Sequence, residues 1–232
     1  MAEAIERRSR YLRDFAHAVS HEFKTPLAGI GGAVELLQDH SDMGAADRER
    51  FLANIGADAA RLNQLVSRLL DLARADMAEV VEGAATDLSD VMRRVADAFT
   101  GADFNVVPEP AAALPSVAVP SAVIETVLTG LIENSRQAAA SRVSIAARAA
   151  GGFVELAFRD DGPGIPAGDR DRIFEPFFTS RRTSGGTGLG LPIIRSLLHA
   201  HHSMILLDRD DGRGAGFLVT LPACAAVPTR KA

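Results

Sequence analysis

The chain has 232 residues, of which 47% are hydrophobic and 24% charged, and its net charge is −5. This composition is typical of a folded protein of one large or two modest domains, it excludes global disorder, and the charge gives no reason to expect a nucleic acid partner. The single cysteine, Cys224, excludes a disulfide within the chain and fits a reducing, cytoplasmic setting. No apolar run approaches the roughly 18 residues of a membrane span, so any membrane sensor region would lie outside this chain.

Two long helices are predicted for the first 80 residues. Apolar side chains recur at helical spacing over 2–40, with Pro26 as the site of an expected kink, and again from Ala45 to about Val80. The turn at 41–44 joins the two helices as an antiparallel hairpin. Because no third element covers its apolar face, we expect it to pair with a second copy as a symmetric four-helix bundle.

Residues 20–27, with the sequence SHEFKTPL, carry candidate chemistry on the first of these helices. At 3.6 residues per turn, His21 and Thr25 share one face, and Glu22 lies beside it. A carboxylate that binds one ring nitrogen of a histidine makes the other a better nucleophile. The alternative is a surface histidine with chance neighbours, and the residues downstream must decide between the two.

After a linker at 82–86, the pattern changes to mixed elements. Asp87 or Ser89 can cap a helix over 91–99, and further helices are predicted over 120–138 and 191–200. The predicted strands are 104–107, 116–119, 142–148, 153–159, 203–207 and 216–221. Because strands and helices intermix without regular βαβ alternation, we expect an α+β sandwich with helices on one sheet face, followed by a loose tail.

Two polar segments in this region are typical of a nucleotide site. Asn134 lies on the polar side of an apolar helix, where its amide oxygen suits Mg²⁺ bound to phosphates. Asp160 ends a strand and can accept a hydrogen bond from an exocyclic amine such as that of adenine, while Gly162 and Gly164 allow close backbone approach. A surface asparagine and an ordinary Asp-Gly turn are the alternatives.

Two further segments precede the last long helix. Residues 173–179 are rich in apolar and aromatic side chains, which indicates a hydrophobic anchor or ordinary core. The glycine-rich loop that follows opens a helix, whose backbone amides suit phosphates, and Arg181 and Arg182 stand just before it. The loop matches neither the P-loop nor a convincing dinucleotide fingerprint. Its central residues are Gly186, Thr187, Gly188, Leu189 and Gly190.

The order of these segments behind S-H-E-x-x-T-P-L resembles the sensor histidine kinases of two-component signalling, from about Tyr11 to Pro222. The resemblance implies a dimerisation and histidine-phosphotransfer hairpin over 1–82. It also implies a catalytic ATP-binding domain of the Bergerat type, an α/β sandwich, over 87–223, with a tail over 224–232.

The resemblance also assigns residues. It implies that His21 is the phosphoacceptor, Asn134 the Mg²⁺ ligand and Asp160 the adenine-binding residue. Gly162 and Gly164 complete the adenine box, and the Thr-Gly-Leu-Gly segment closes the ATP lid. The implied activity is ATP-dependent autophosphorylation followed by transfer to an Asp of a response regulator, within a homodimer. The implied reverse activity is regulator dephosphorylation, with Thr25 placing a water.

Some positions depart from the family pattern. Gly130 replaces the usual first Asn of the asparagine box, which predicts lower nucleotide affinity or rate, and Gln137 replaces a basic residue. The segment from 179 to 186 is short, and His201-His202-Ser203 replaces His-Gly-Gly. Two alternatives stay open: a degenerate kinase acting as a dimeric adaptor or phosphatase, and a Bergerat-type ATPase. The ATPase would need a carboxylate where Gly130 stands.

Overall fold

The computed structural model describes residues 2–77, 83–109, 113–181, 186–208 and 214–224. The chain forms two compact units. The first holds the residues up to Asp71 and the described part of Glu175–Leu189, and the second holds the described parts of Leu72–Phe174 and of the region from Gly190 onward. The predictions made for Val80, Glu82, Arg182 and residues 225–232 lie outside the described residues.

Two long helices dominate the first unit, as the apolar spacing predicted. Helix α1 spans Ala2–Asp39 and continues through Pro26, and helix α2 spans Ala45–Asp76. No helix in the described part of the chain is long and apolar enough to cross a membrane. The kink expected at Pro26 stays a prediction.

The hairpin has an inner seam and an uncovered apolar face. Pro26 and Ala33 of α1 and Leu65 of α2 are buried. A Cβ on Gly29 would meet Asp58 Oδ2 at 2.5 Å, so the Asp58 side chain lies against the backbone of α1 there. Other large apolar side chains are 38–54% exposed. They are Leu27, Val34, Leu36, Leu52, Val66 and Leu70. A face of this kind needs a covering partner.

The second unit combines a five-stranded mixed sheet with helices. Its remaining helices are α3 (Leu88–Phe99), α4 (Ser121–Gln137) and α5 (Gly190–Ala200). Its strands are β1 (Asn105–Pro108), β2 (Arg142–Ala150), β3 (Phe153–Asp160), β4 (Met204–Asp208) and β5 (Gly216–Pro222). The strand order is β1-β2-β3-β5-β4; β1 pairs with β2 in parallel and the other pairs are antiparallel.

One face of this sheet is buried and the other is open. Ile145, Phe158 and Phe217 lie opposite one another in register across β2, β3 and β5, and all three are buried. On the opposite face, Met204 and Leu206 are more than half exposed. This one-sided burial confirms the predicted α+β class, in which helices cover a single sheet face.

Local signals explain most of the element boundaries. Asp87 caps α3 by accepting from the backbone N–H groups of Ser89 and Asp90. The predicted strand at 116–119 is wrong, because Val117 forms only isolated bridges, to Thr86 and Ala223. Prolines at both ends of that short segment have no N–H to donate to a ladder.

Candidate functional site

Helix α1 presents His21 to solvent. His21 and Thr25 are both exposed, one turn apart, and the Thr25 hydroxyl donates to the His21 carbonyl oxygen at 3.4 Å. The imidazole is therefore accessible on an outer face of the hairpin. An exposed nucleophile of this kind can be reached by a second domain or a second protein.

Glu22 turns away from the exposed face of His21 and lies in the inner seam. Only 5% of the residue is exposed, and Arg61 Nη2 of α2 donates to Glu22 Oε2 at 3.4 Å. A buried carboxylate is costly without a cationic or hydrogen-bonding partner, and Arg61 supplies one. The described arrangement thus separates the carboxylate from the exposed face that carries His21 and Thr25.

Arg61 was not among the residues identified from the sequence, although a signal for it exists. Positions 19, 22, 26, 29 and 33 follow a heptad-like spacing, and Glu22 is the only charged residue in that series. A charge in an inner seam calls for an opposite charge across it. The facing helix supplies that charge 39 residues later in the chain.

Asp160 is a buried polar side chain of the second unit that three hydrogen bonds hold in place. It is 6% exposed, and its Oδ1 accepts hydrogen bonds from Gly162 N at 3.0 Å and Ala215 N at 2.8 Å. Its Oδ2 accepts from the Ser135 hydroxyl at 2.7 Å. These three donors fix the carboxylate at the end of β3. Neither Ser135 nor Ala215 was identified from the sequence.

The backbone around Asp160 is closely packed. Gly214 has φ +97°, and a Cβ on it would lie 1.7 Å from the Asp160 carbonyl oxygen. A Cβ on Gly162 would lie 3.2 Å from Asp160 Oδ1, and one on Gly164 would lie 3.0 Å from the Gly214 oxygen. The close approach predicted for the two glycines of this box is therefore, in part, an approach to the chain itself.

Asn134 lies beside the first residue of α5. A Cβ on Gly190 would come within 3.2 Å of Asn134 Oδ1, so glycine leaves space at the amide oxygen where the helix begins. An amide oxygen at a helix N-terminus suits a phosphate-bound cation, because the oxygen ligates the metal while backbone N–H groups face the anion. Asn134 Oδ1 is thus one oxygen of the kind that Mg²⁺ bound to phosphates takes as a ligand.

The departure at Gly130 has a packing explanation. A Cβ at this position would meet Ile194 Cδ1 at 3.0 Å and Cγ1 at 3.4 Å. The glycine thus allows α4 and α5 to approach each other closely. An asparagine there would require the Ile194 side chain to move.

The other predicted phosphate-side residues belong to the first unit. In this segment Phe177 N donates to Gly188 O at 2.9 Å, and Gly186 N donates to Arg181 O at 3.0 Å. Phe177 is buried with φ +64°, and its ring centroid lies 5.4 Å from that of Phe15. The Phe177 ring of the aromatic segment thus packs against α1, and the anchoring role of the segment stays a prediction.

The predicted site residues therefore divide between the two units. Asn134, Asp160, Gly162, Gly164 and Gly190 belong to the second unit. The first unit contains His21, Glu22, Thr25, Arg181, Gly186, Thr187, Gly188 and Leu189.

Two other ionisable residues of the second unit, Asp161 and His201, have pKa values that their surroundings lower. Asp161 accepts from the Ser141 hydroxyl and from backbone N–H groups of Ser141 and Arg142, and these bonds hold the pKa of its carboxyl below the usual value. His201 is buried, which lowers its pKa, and the nearby His202 lowers it further. Asp161 thereby connects the end of β3 to the start of β2.

Two family models match the chain. Residues 11–78 match the His Kinase A (phospho-acceptor) domain. Residues 121–225 match the histidine kinase-, DNA gyrase B- and HSP90-like ATPase family. The first match includes α2 and the part of α1 with His21, and the second includes the Asn134 and Asp160 segments.

Individual relatives agree with the family models. The chain is 33% identical over 222 residues to the sensor-like histidine kinase SenX3 of Mycobacterium tuberculosis, covering 91% of this chain and 54% of SenX3. Full-length ShkA in complex with AMPPNP superposes with a TM-score of 0.61 at 28% identity, over 92% of this chain and 47% of ShkA. ThkA in complex with the response regulator TrrA, at 21% identity, shares the fold with a TM-score of 0.68 over 94% of this chain and 64% of that one. The chain thus spans about half the length of the curated relative it matches.

Proposed function

The chain belongs to the two-component sensor histidine kinases, and we propose that it is an ATP-dependent protein kinase core that phosphorylates His21. The observation that carries this proposal is a pair of features in one chain: a helical hairpin that exposes His21, and a second unit that fixes Asp160 with three hydrogen bonds. The exposed imidazole is suited to accept a phosphoryl group. The fixed carboxylate is suited to accept a hydrogen bond from the adenine amine.

The chemical step joins a ring nitrogen of His21 to the γ-phosphorus of ATP. The new N–P bond forms as the bond from the γ-phosphorus to the bridging oxygen breaks, and ADP leaves with that electron pair. The imidazole then carries an extra proton, which Glu22 accepts in our proposal. Because Arg61 holds Glu22 in the inner seam, the carboxylate must exchange this partner for the imidazole before it can act as the base.

Asn134 is the residue that we propose as the Mg²⁺ ligand. Its oxygen lies beside Gly190, where α5 begins, and the donor is of the kind that Mg²⁺ prefers. When bound, Mg²⁺ offsets the negative charge of the phosphate oxygens. We further propose that Arg181 and the 186–190 loop contribute to the phosphate side of the site.

A homodimer and a response regulator are the proposed partners. The exposed apolar residues of the hairpin, among them Leu27 and Leu70, support a dimeric four-helix bundle. Sedimentation that gave a monomer at micromolar concentration would contradict it. The phosphoryl group on His21 then passes to an Asp of the regulator's receiver domain, and Thr25 supports the reverse, dephosphorylating activity. The cytoplasm, where ATP and regulators are found, is the proposed location.

The decisive experiment measures label transfer from ATP that carries radioactive phosphorus at the γ position. We expect acid-labile labelling of the wild-type chain and none of His21→Gln. His17→Gln is the matched control, because His17 is also exposed and lies one turn earlier on α1. Labelling that persisted in His21→Gln, or that was lost equally in His17→Gln, would refute the assignment of His21.

A further inference from the structure

Ser135 makes a hydrogen bond that neither the family match nor the sequence motifs assign. It follows Asn134 on α4, is 2% exposed, and its hydroxyl donates to Asp160 Oδ2 at 2.7 Å. A helical serine commonly bonds a backbone carbonyl of its own helix, as Thr126 does with Ala122 at 2.8 Å. Ser135 instead bonds across to the end of β3, 25 residues later in the chain.

The hydrogen bond from Ser135 determines which oxygen of Asp160 can bind a ligand. An ionised carboxylate only accepts, and it has about four lone-pair positions. Gly162 N and Ala215 N occupy both positions on Oδ1, and Ser135 occupies one on Oδ2. As far as the described residues show, the position that remains for a ligand is therefore on Oδ2, the oxygen that Ser135 orients.

We propose that Ser135 is a positioning residue that makes the site selective for purines with a 6-amino group. The inference rests on the proposed function, in which Asp160 binds the nucleotide base. With Ser135 present, the carboxylate plane is held from both oxygens, and Oδ2 presents a fixed acceptor to an N–H donor. A base with a carbonyl at this position places a second acceptor against Oδ2, and a base with only hydrogen there makes no bond to it, so both lose a charge-assisted hydrogen bond that the amine makes.

Loss of the Ser135 hydroxyl frees one side of the carboxylate. In Ser135→Ala, Oδ2 has two open positions, and rotation is restrained only through Oδ1. We expect the dissociation constant for ATP to rise by about tenfold, the equivalent of one charge-assisted hydrogen bond. The dissociation constant for purine riboside triphosphate, which lacks the 6-amino group, should change by less than about twofold.

The test therefore compares two ligands in three proteins. Dissociation constants for ATP and for purine riboside triphosphate are measured by calorimetry in the wild type, in Ser135→Ala and in Thr126→Ala. Alanine is a better helix former than serine, so Ser135→Ala should keep its fold, which circular dichroism checks. Thr126→Ala is the matched control, because it removes an exposed hydroxyl from the same helix.

The expected result is a preference for ATP that falls about tenfold in Ser135→Ala and is unchanged in Thr126→Ala. Equal weakening of both ligands would indicate a merely structural serine and would overturn the inference. An unchanged preference in a folded Ser135→Ala protein would overturn it too, while leaving the proposed function intact. A wild-type chain that bound neither ligand would overturn the nucleotide site itself, and Ser135's role with it.

Discussion

Gly214 offers the sharpest structural test of the nucleotide site, because its backbone touches the residue that we expect to bind the base. Its φ of +97° is unfavourable for an L-residue, and a Cβ there would lie 1.7 Å from the Asp160 carbonyl oxygen. Real contacts of a Cβ are at least 3.0 Å long, so Gly214→Ala must separate the two segments by about 1.3 Å. The same movement pulls Ala215 N away from Asp160 Oδ1, which it binds at 2.8 Å.

Two costs follow from this movement. Backbone strain should lower the free energy of unfolding by about 1–3 kcal/mol. Displacement of Asp160 should weaken its hydrogen bond to the base, a bond to a charged group worth about 1.5–3 kcal/mol, and so raise the ATP dissociation constant by roughly tenfold to a hundredfold.

A substitution at a second glycine, Gly152, distinguishes the effect of backbone strain from the effect of displacing Asp160. Gly152, in the turn between β2 and β3, has φ +88°, and a Cβ on it would meet nothing within 4 Å. Gly152→Ala should therefore lose stability without losing ATP affinity. Thermal denaturation and calorimetric titration of both variants provide the measurements. A folded Gly214→Ala protein with wild-type ATP affinity would refute the argument that this contact positions Asp160.

Two further predictions concern residues of the first unit, Arg61 and Thr25. Arg61→Gln removes a cationic partner of the buried Glu22 carboxylate. Chemical denaturation should show a loss of about 1–3 kcal/mol, below the full cost of a buried pair because Arg61 is partly exposed. Arg50→Gln, which breaks an exposed pair on the same helix, should change stability by less than about 0.5 kcal/mol, and an equal loss in both would contradict the assigned burial effect. Thr25→Ala should impair regulator dephosphorylation while sparing autophosphorylation; both rates can be followed with a purified receiver domain, and equal loss of both would reject this role.

The elements that could be predicted from the sequence are those specified by local patterns. Apolar spacing of 3.6 residues predicted both long helices, and alternation around Gly151-Gly152 predicted the β2–β3 hairpin, whose two turn glycines have positive φ. The strand expected at 116–119 failed, because its apolar residues satisfied the local pattern while its flanking prolines could not extend a ladder.

The contacts that complete the candidate site are nonlocal, which explains why the sequence did not reveal them. Arg61 reaches Glu22 across 39 residues, Ser135 reaches Asp160 across 25, and Ala215 reaches Asp160 across 55. The heptad-like spacing of α1 shows that Glu22 is a charge in the seam, but no periodicity identifies the residue that pairs with it, or those that pair with Asp160, at such separations. The motifs identified the candidate ligand-binding residues, and the fold was needed to identify the residues that hold them in place.

The packing of helix α4 against α5 changes the interpretation of Gly130. The sequence predicted that glycine at this position weakens nucleotide binding through a lost polar contact. In the structure Gly130 sets the distance between α4 and Ile194 of α5, and one turn later Asn134 Oδ1 lies beside Gly190, the first residue of α5. A Cβ at position 130 would press on the flexible end of the Ile194 side chain, which would have to move by a few tenths of an ångström. The glycine is therefore consistent with an active site built around close helix packing, and it does not by itself argue for a degenerate kinase.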